Sequence, residues 1–138
     1  MPFRHTLTVR FDEIDRAGIA YFAQVFRYCH VAYEELIAQA VGSLEDLFRS
    51  RTWATPMVHA EADYVRPMFV GDVLTIDLQV ERLGEKSVTF AYEVRGEDGQ
   101  PRARVRLIHA FVELEGFVAR PVPEAFRAGL VRLGLVPG

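Results

Sequence analysis

Polar and apolar residues alternate strictly from Phe3 to Phe11, with Phe3, His5, Leu7, Val9 and Phe11 on one face and Arg4, Thr6, Thr8 and Arg10 on the other. A period of two predicts a half-buried strand. The period then changes. Ile19, Phe22, Phe26, Cys29, Tyr33, Leu36 and Ala40 recur at steps of three and four, and Val25, Ala32 and Ile37 widen the stripe. This predicts an amphipathic helix of about six turns, broad enough on its apolar side to pack against a sheet and ended by Gly42. Residues 43–55 carry no sustained period, but Ser43 with Asp46 three positions on reads as the start of a short helix.

From Pro56 onward the pattern is β. Val58 to Arg66 reads as a strand broken at Pro67. Leu74, Ile76, Leu78 and Val80 alternate with Thr75, Asp77 and Gln79, and Val88, Phe90, Tyr92 and Val94 alternate with Thr89, Ala91, Glu93 and Arg95. Turn signals separate these runs at Gly71-Asp72, Leu83-Gly84-Glu85-Lys86 and Glu97-Asp98-Gly99-Gln100. Residues 103–114 form the longest predicted strand, with alternation blurred at Leu107-Ile108-His109 by a bulge or by burial on both faces. A short helix over about residues 124–133 follows Pro121 and Pro123. A sheet must bury one face, and the long helix is the only large apolar partner. The expected architecture is α+β, an antiparallel sheet wrapped around one long central helix, in a single domain over residues 1–138.

Composition narrows the function classes. A formal charge of −3 on 138 residues offers no basic excess for nucleic acid. Cys29 is the only cysteine, so no intramolecular disulfide forms. The alternating N-terminus is not that of a secretory leader, and no apolar run approaches the roughly 18 residues of a membrane span. A cytoplasmic protein without membrane or nucleic-acid partners is expected.

The stretch Phe11-Asp12-Glu13-Ile14-Asp15-Arg16-Ala17-Gly18-Ile19 places a carboxylate on a Gly-containing loop before the long helix. Backbone N–H groups at such a terminus lack intrahelical partners, and a carboxylate facing them can attack a carbonyl, or direct water onto it, while they hold the oxyanion. Asp15 is therefore the first candidate for chemistry. Its alternative role is that of a helix cap. His5, His30, His59 and His109 lie in four segments without metal-ligand spacing, so no metal is expected. His109 reads as a hydrogen-bonded strand histidine and Cys29 as a small buried hydrophobe. Gln24 either positions water near Asp15 or faces solvent. Ser87 has no His–Asp pair placed beside it for a serine triad.

The layout, together with Phe11 to Phe22, resembles the hotdog fold and the 4-hydroxybenzoyl-CoA thioesterase family of acyl-CoA hydrolases. Thr55-Pro56-Met57-Val58-His59-Ala60, Val70-Gly71-Asp72-Val73-Leu74 and Lys86-Ser87-Val88 extend the resemblance over residues 5 to about 125. It implies an acyl-CoA thioesterase with Asp15 as nucleophile or general base and the Phe22 N–H as oxyanion donor. It also implies substrate contacts at Gly18, Tyr21, Gln24, His30, His59, Arg82, Lys86 and Ser87, with Lys86 and Arg82 near the CoA phosphates. CoA is then part of the substrate and no cofactor is needed. Two departures matter: Asp12 and Glu13 shift the first acidic position of the motif, and Phe22 stands where a large subgroup has His. The segment Tyr21 to Glu34, with Tyr-Phe-x-Gln and Cys-His-x-Ala-Tyr-Glu, is similar to 1,4-dihydroxy-2-naphthoyl-CoA thioesterases. In hydroxybenzoyl enzymes the place of His30 is an Asp that meets the phenol. An aromatic acyl-CoA is expected, naphthoyl ahead of hydroxybenzoyl. By resemblance the assembly is a homotetramer, a dimer of dimers joined through sheet edges. The same fold also serves non-catalytic acyl-CoA binders, thioesterases of short or medium aliphatic chains, and hydratases, which need an Asp/His pair.

Overall fold

The structure, a computed structural model, describes residues 2–138. Its elements are β1 (Phe3–Thr8), α1 (Gln24–Val41), α2 (Leu44–Ser50), β2 (Trp53–Ala54), β3 (Met57–Tyr64), β4 (Val73–Leu83), β5 (Ser87–Arg95), β6 (Pro101–Ala110), β7 (Val112–Glu113) and α3 (Glu124–Arg132). Five strands form an antiparallel sheet in the order β1-β4-β5-β6-β3, and β2 pairs with β7. The alternation predicted for β4 and β5 holds: Leu74, Ile76, Leu78, Val88, Phe90 and Val94 are buried. They meet Val25, Cys29, Ala32 and Leu36 of α1 and Phe126 and Leu130 of α3 in one apolar cluster. The fold is α+β, with the expected helix one of three.

Several boundaries moved. The first strand stops at Thr8, because Val9 bonds through both backbone groups to the Gly71-Asp72 turn and Phe11–Glu13 coil into a 3₁₀ turn. Phe11 is consequently 81% exposed instead of sharing the buried face. The long helix starts at Gln24, five residues after Ile19, which pairs with Phe69 in an isolated bridge. It ends at Gly42 as predicted. The Ser43 hydroxyl accepts the Asp46 N–H at 3.2 Å, capping α2. The long last strand splits at Phe111, whose N–H donates to the Lys86 carbonyl. The irregularity expected near Ile108 lies in its partner: the β3–β6 register slips between Met57 and His59.

Strand β3 is an edge, and all but one of its residues are exposed. Its start lies beside the β6 end that flanks Ser87, and its finish lies beside Phe22.

Candidate active site

The loop after the 3₁₀ turn closes as a small hairpin. Ile14 bridges Ala20, the Asp15 N–H donates to the Ile19 carbonyl at 2.8 Å, and the Gly18 N–H donates to the Asp15 carbonyl at 3.0 Å. Gly18 sits at φ +82°, which a side chain would strain. The Ala20 N–H donates to the Met68 carbonyl at 2.7 Å, fastening the hairpin to the segment that leads into β4. Asp15 Oδ1 accepts the Ala17 N–H at 2.8 Å, and the side chain remains exposed. Asp15 is not the helix cap. The N-cap position is Ala23, with no side-chain cap, so the carboxylate is free of that duty.

Phe22 precedes α1, and its N–H has no acceptor among the described residues. Tyr21, whose carbonyl shares a peptide with that N–H, is held through both of its backbone groups. The Tyr21 N–H donates to the Glu13 carbonyl at 2.9 Å, and the Tyr21 carbonyl accepts the Gln24 N–H at 2.8 Å. In a trans peptide N–H and C=O point in opposite directions, so the Phe22 N–H points away from the first turn of α1. The Tyr64 hydroxyl, at the end of β3, donates to the Phe22 carbonyl. Asp15 and Phe22 border one open cleft of about 390 Å³, together with Ile19, Tyr64, Arg66 and Met68.

The residue that organises this corner was not singled out by sequence. Glu13 is only 6% exposed. Its Oε1 accepts the Arg10 N–H at 2.8 Å and the Tyr28 hydroxyl at 2.9 Å, and its Oε2 pairs with Arg27 Nη1 at 3.0 Å. Burial first, and then the Glu13 carboxylate, push the Tyr28 hydroxyl well above the ordinary phenol range, keeping it a proton donor. Neighbouring Asp12 instead makes an exposed pair with Arg10. Nothing in the local pattern separates the two acids. Only the helical spacing that puts Arg27 and Tyr28 on the first turns of α1 offered a partner.

The other predicted contacts scatter within one protomer. Tyr21 is half exposed and packs on Phe22, with ring centroids 4.7 Å apart. Gln24 opens α1, and its Oε1 is buried without a partner. His30 lies farther along α1, on a separate cavity of about 340 Å³ bordered also by Tyr33, Glu34, Phe48, Trp53 and Thr55. The Tyr33 hydroxyl shares a 2.7 Å hydrogen bond with Thr55 Oγ1, and burial pushes its pKa up to about 12. His59 pairs in register with Ile108 and bonds Glu61 at 2.9 Å, which places it among the ion pairs of the sheet's outer face. Arg82, Lys86 and Ser87 sit at the β4–β5 turn, one length of β4 (about 30 Å) from the Asp15 corner.

His109 is stacked on Tyr33 at 4.5 Å, and its Nδ1 bonds the Thr55 carbonyl at 2.9 Å while its Nε2 has no partner. Burial holds its pKa below the ordinary value. Burial likewise pushes the Cys29 thiol up, in keeping with a packing role. Among the described residues no three His, Cys, Asp or Glu side chains gather to hold a metal, and no helix is long and apolar enough to cross a membrane.

Comparison with known proteins identifies the family. A 1,4-dihydroxy-2-naphthoyl-CoA hydrolase of Nostoc punctiforme is 45% identical over 94 residues, covering 68% of this chain and 64% of the relative. The chain thus matches slightly under two thirds of that protein's length. One from Synechococcus elongatus is 39% identical over 117 residues, covering 84% of this chain and 85% of the relative. Among solved structures, a 1,4-dihydroxy-2-naphthoyl-CoA thioesterase from Synechocystis superposes with a TM-score of 0.88 at 27% identity, over 97% of this chain and 98% of that one. The family model of the thioesterase-like superfamily matches residues 9–130, which include the Asp15 hairpin, α1 and the whole five-stranded sheet apart from β1. On that match over most of its length, this hotdog chain belongs to the thioesterase-like superfamily.

Proposed function

We propose that this protein is a cytoplasmic acyl-CoA thioesterase that releases an aromatic acid, of the 1,4-dihydroxy-2-naphthoyl type, from CoA. The observation that carries the reading is the exposed Asp15 carboxylate on the same cleft as the unpartnered, outward-pointing Phe22 N–H. The thioester oxygen sits on that N–H, which holds the negative charge developing as the carbonyl carbon is attacked. Asp15 acts in one of two ways. As nucleophile it forms an anhydride while the C–S bond breaks and the CoA thiolate takes up a proton, and water then cleaves the anhydride. As general base it removes a proton from water as the water oxygen attacks, and that proton leaves with the thiolate. Single turnover in isotopically labelled water separates the routes, since only the anhydride route puts label into Asp15.

Within one protomer this cleft is not bordered by His30, Arg82 or Lys86, the residues expected at the acyl group and the phosphates. Pairing two copies through β3 supplies them. Antiparallel strands bring the start of one β3 to the end of the other. Asp15 of one copy then lies near the His30 cavity and the Arg82–Ser87 turn of the second. The exposure of Met57, Val58, Tyr64 and Val65 along this edge supports the pairing, because an uncovered apolar edge invites another strand. In this arrangement His30 and Tyr33 flank the aromatic group, and Arg82 and Lys86 meet the phosphates. His59, on the outer face, reaches the ligand only from a second layer, which the tetramer implied by the family would provide.

The test is thiol release from a panel of CoA esters: dihydroxynaphthoyl, hydroxybenzoyl, benzoyl, and short and long aliphatic. Preference for an aromatic ester, lost in Asp15→Asn with binding retained, is the expected result. Activity surviving in Asp15→Asn refutes the assignment, and retained binding without turnover in the native protein makes it a sensor. Lys86→Ala is expected to raise KM for every ester in the panel alike.

A further inference from the structure

We propose that Glu13 is a positioning residue that sets the geometry between Asp15 and the Phe22 N–H; this rests on the reading of those two groups given above. Among the described residues Glu13 is the one buried carboxylate, and it does not border the cleft that Asp15 and Phe22 share. Its contacts lie on both sides of the reacting pair. On the upstream side it accepts the Arg10 N–H at 2.8 Å, and its own N–H donates to the Arg10 carbonyl at 3.0 Å, closing the turn two residues before Asp15. On the downstream side it accepts from Tyr28 and Arg27 in the first turns of α1, at 2.9 and 3.0 Å. Its carbonyl takes the N–H of Tyr21, the residue before Phe22, at 2.9 Å. One residue therefore ties the arm bearing the carboxylate to the arm bearing the oxyanion donor.

The cleft needs such a tie. The Asp15 side chain is exposed, with one hydrogen bond to its own loop, and Phe22 lies outside the helical ladder. Neither is fixed by core packing. A buried carboxylate with three donors is costly to leave partly unpaired, so the arrangement that satisfies it is strongly preferred over neighbouring ones. Arg27 is mostly exposed, so its charge is screened and Tyr28, buried and held protonated, is the more rigid of the helix anchors.

Glu13→Gln keeps an oxygen for the Arg10 N–H and the Tyr28 hydroxyl but turns an amide N–H₂ toward the Arg27 guanidinium, opposing donor to donor. Tyr28→Phe removes the helix anchor and leaves the carboxylate in place. Both variants are expected to lose about 10- to 100-fold in kcat, with KM changed less than about threefold, since a misplacement of about 1 Å costs that much. Glu13→Asp, which retains charge but is one methylene short, is expected to recover part of the loss.

Two readouts separate positioning from mere stability. In the Asp15→Asn background, adding Glu13→Gln is expected to cost nothing further in kcat, because there is no carboxylate left to aim. An equal loss in both backgrounds overturns the proposal. Amide hydrogen exchange is expected to accelerate over residues 14–22 in Glu13→Gln and Tyr28→Phe while β4 to β6 keep their protection. Unchanged exchange in that loop overturns the proposal whatever the activity does. If Asp15→Asn proves fully active, the reading of the reacting pair fails separately, and exchange alone then decides whether Glu13 ties the loop.

Discussion

Gly129 lies in the middle of α3, where propensity alone favours alanine by about 1 kcal/mol. Packing reverses the sign. A Cβ built on Gly129 falls against the Ala40 carbonyl oxygen and within 2.7 Å of both the carbonyl carbon and Cα of Ala40. Carbon atoms pack at about 3.5–4.0 Å, so α3 must retreat from α1 by about 1 Å. The obstruction is backbone, which no rotamer change relieves. Overpacking of this kind costs about 1–3 kcal/mol, and a backbone clash belongs at the upper end. The retreat also stretches the Arg132 guanidinium contacts to the Gln39 and Ala40 carbonyls, now 2.7 and 3.2 Å. After the propensity gain, Gly129→Ala should lose about 2 kcal/mol. For a chain of this size, about 3–5 °C per kcal/mol converts that to a Tm lowered by about 6–10 °C. The assay is thermal unfolding by circular dichroism at fixed protein concentration, with Ala128→Gly on the exposed side of α3 as control. The control should lose about 1 kcal/mol through propensity alone. A Gly129→Ala protein as stable as the native one, or more so, would refute the packing argument.

His109 is held neutral by burial, below its ordinary pKa of about 6.5, so the unfolded chain binds more protons than the folded one below that pH. Its contribution is complete above about pH 6.5 and is lost as pH falls toward the folded pKa; the Tm difference between about pH 7.5 and pH 5.5 should shrink in His109→Gln, and an unchanged difference would assign acid sensitivity elsewhere. Gly18→Ala forces a side chain into a positive-φ turn and should cost about 1 kcal/mol or more locally, read as a fall in kcat with little change in Tm. Val58→Asp, at an exposed β3 position, should leave the fold intact by circular dichroism and shift sedimentation toward monomer; an unshifted oligomer would place the interface on another surface.

Repeating patterns were legible in the sequence. Period two located β4 and β5 and their buried faces, and period 3.6 located α1 together with Cys29, Tyr33 and Leu36 as its core side. Side-chain direction follows directly from backbone periodicity, so these assignments needed no tertiary information. Ser43 as a cap and Gly42 as a stop were legible for the same local reason. The apolar stripe overran the helix start because Ile19 and Phe22 are apolar for reasons of their own: one joins a bridge to Phe69, and the other borders a cleft.

The sequence by itself determined the types of the long elements, the sheet's buried face, and Asp15 as the candidate carboxylate. Tertiary structure decided that Asp15 caps no helix, that Phe22 keeps a free N–H, and that Glu13 rather than Asp12 goes inside. It also decided that His59 faces outward and that Arg82 to Ser87 lie a full strand length from Asp15. The physical reason is common to all of these. Periodicity encodes which way a residue points within its own element. Which carboxylate is buried, and which groups share a cleft, depends on donors brought from distant elements. Arg27 and Tyr28 reach Glu13 only after α1 has docked on the sheet.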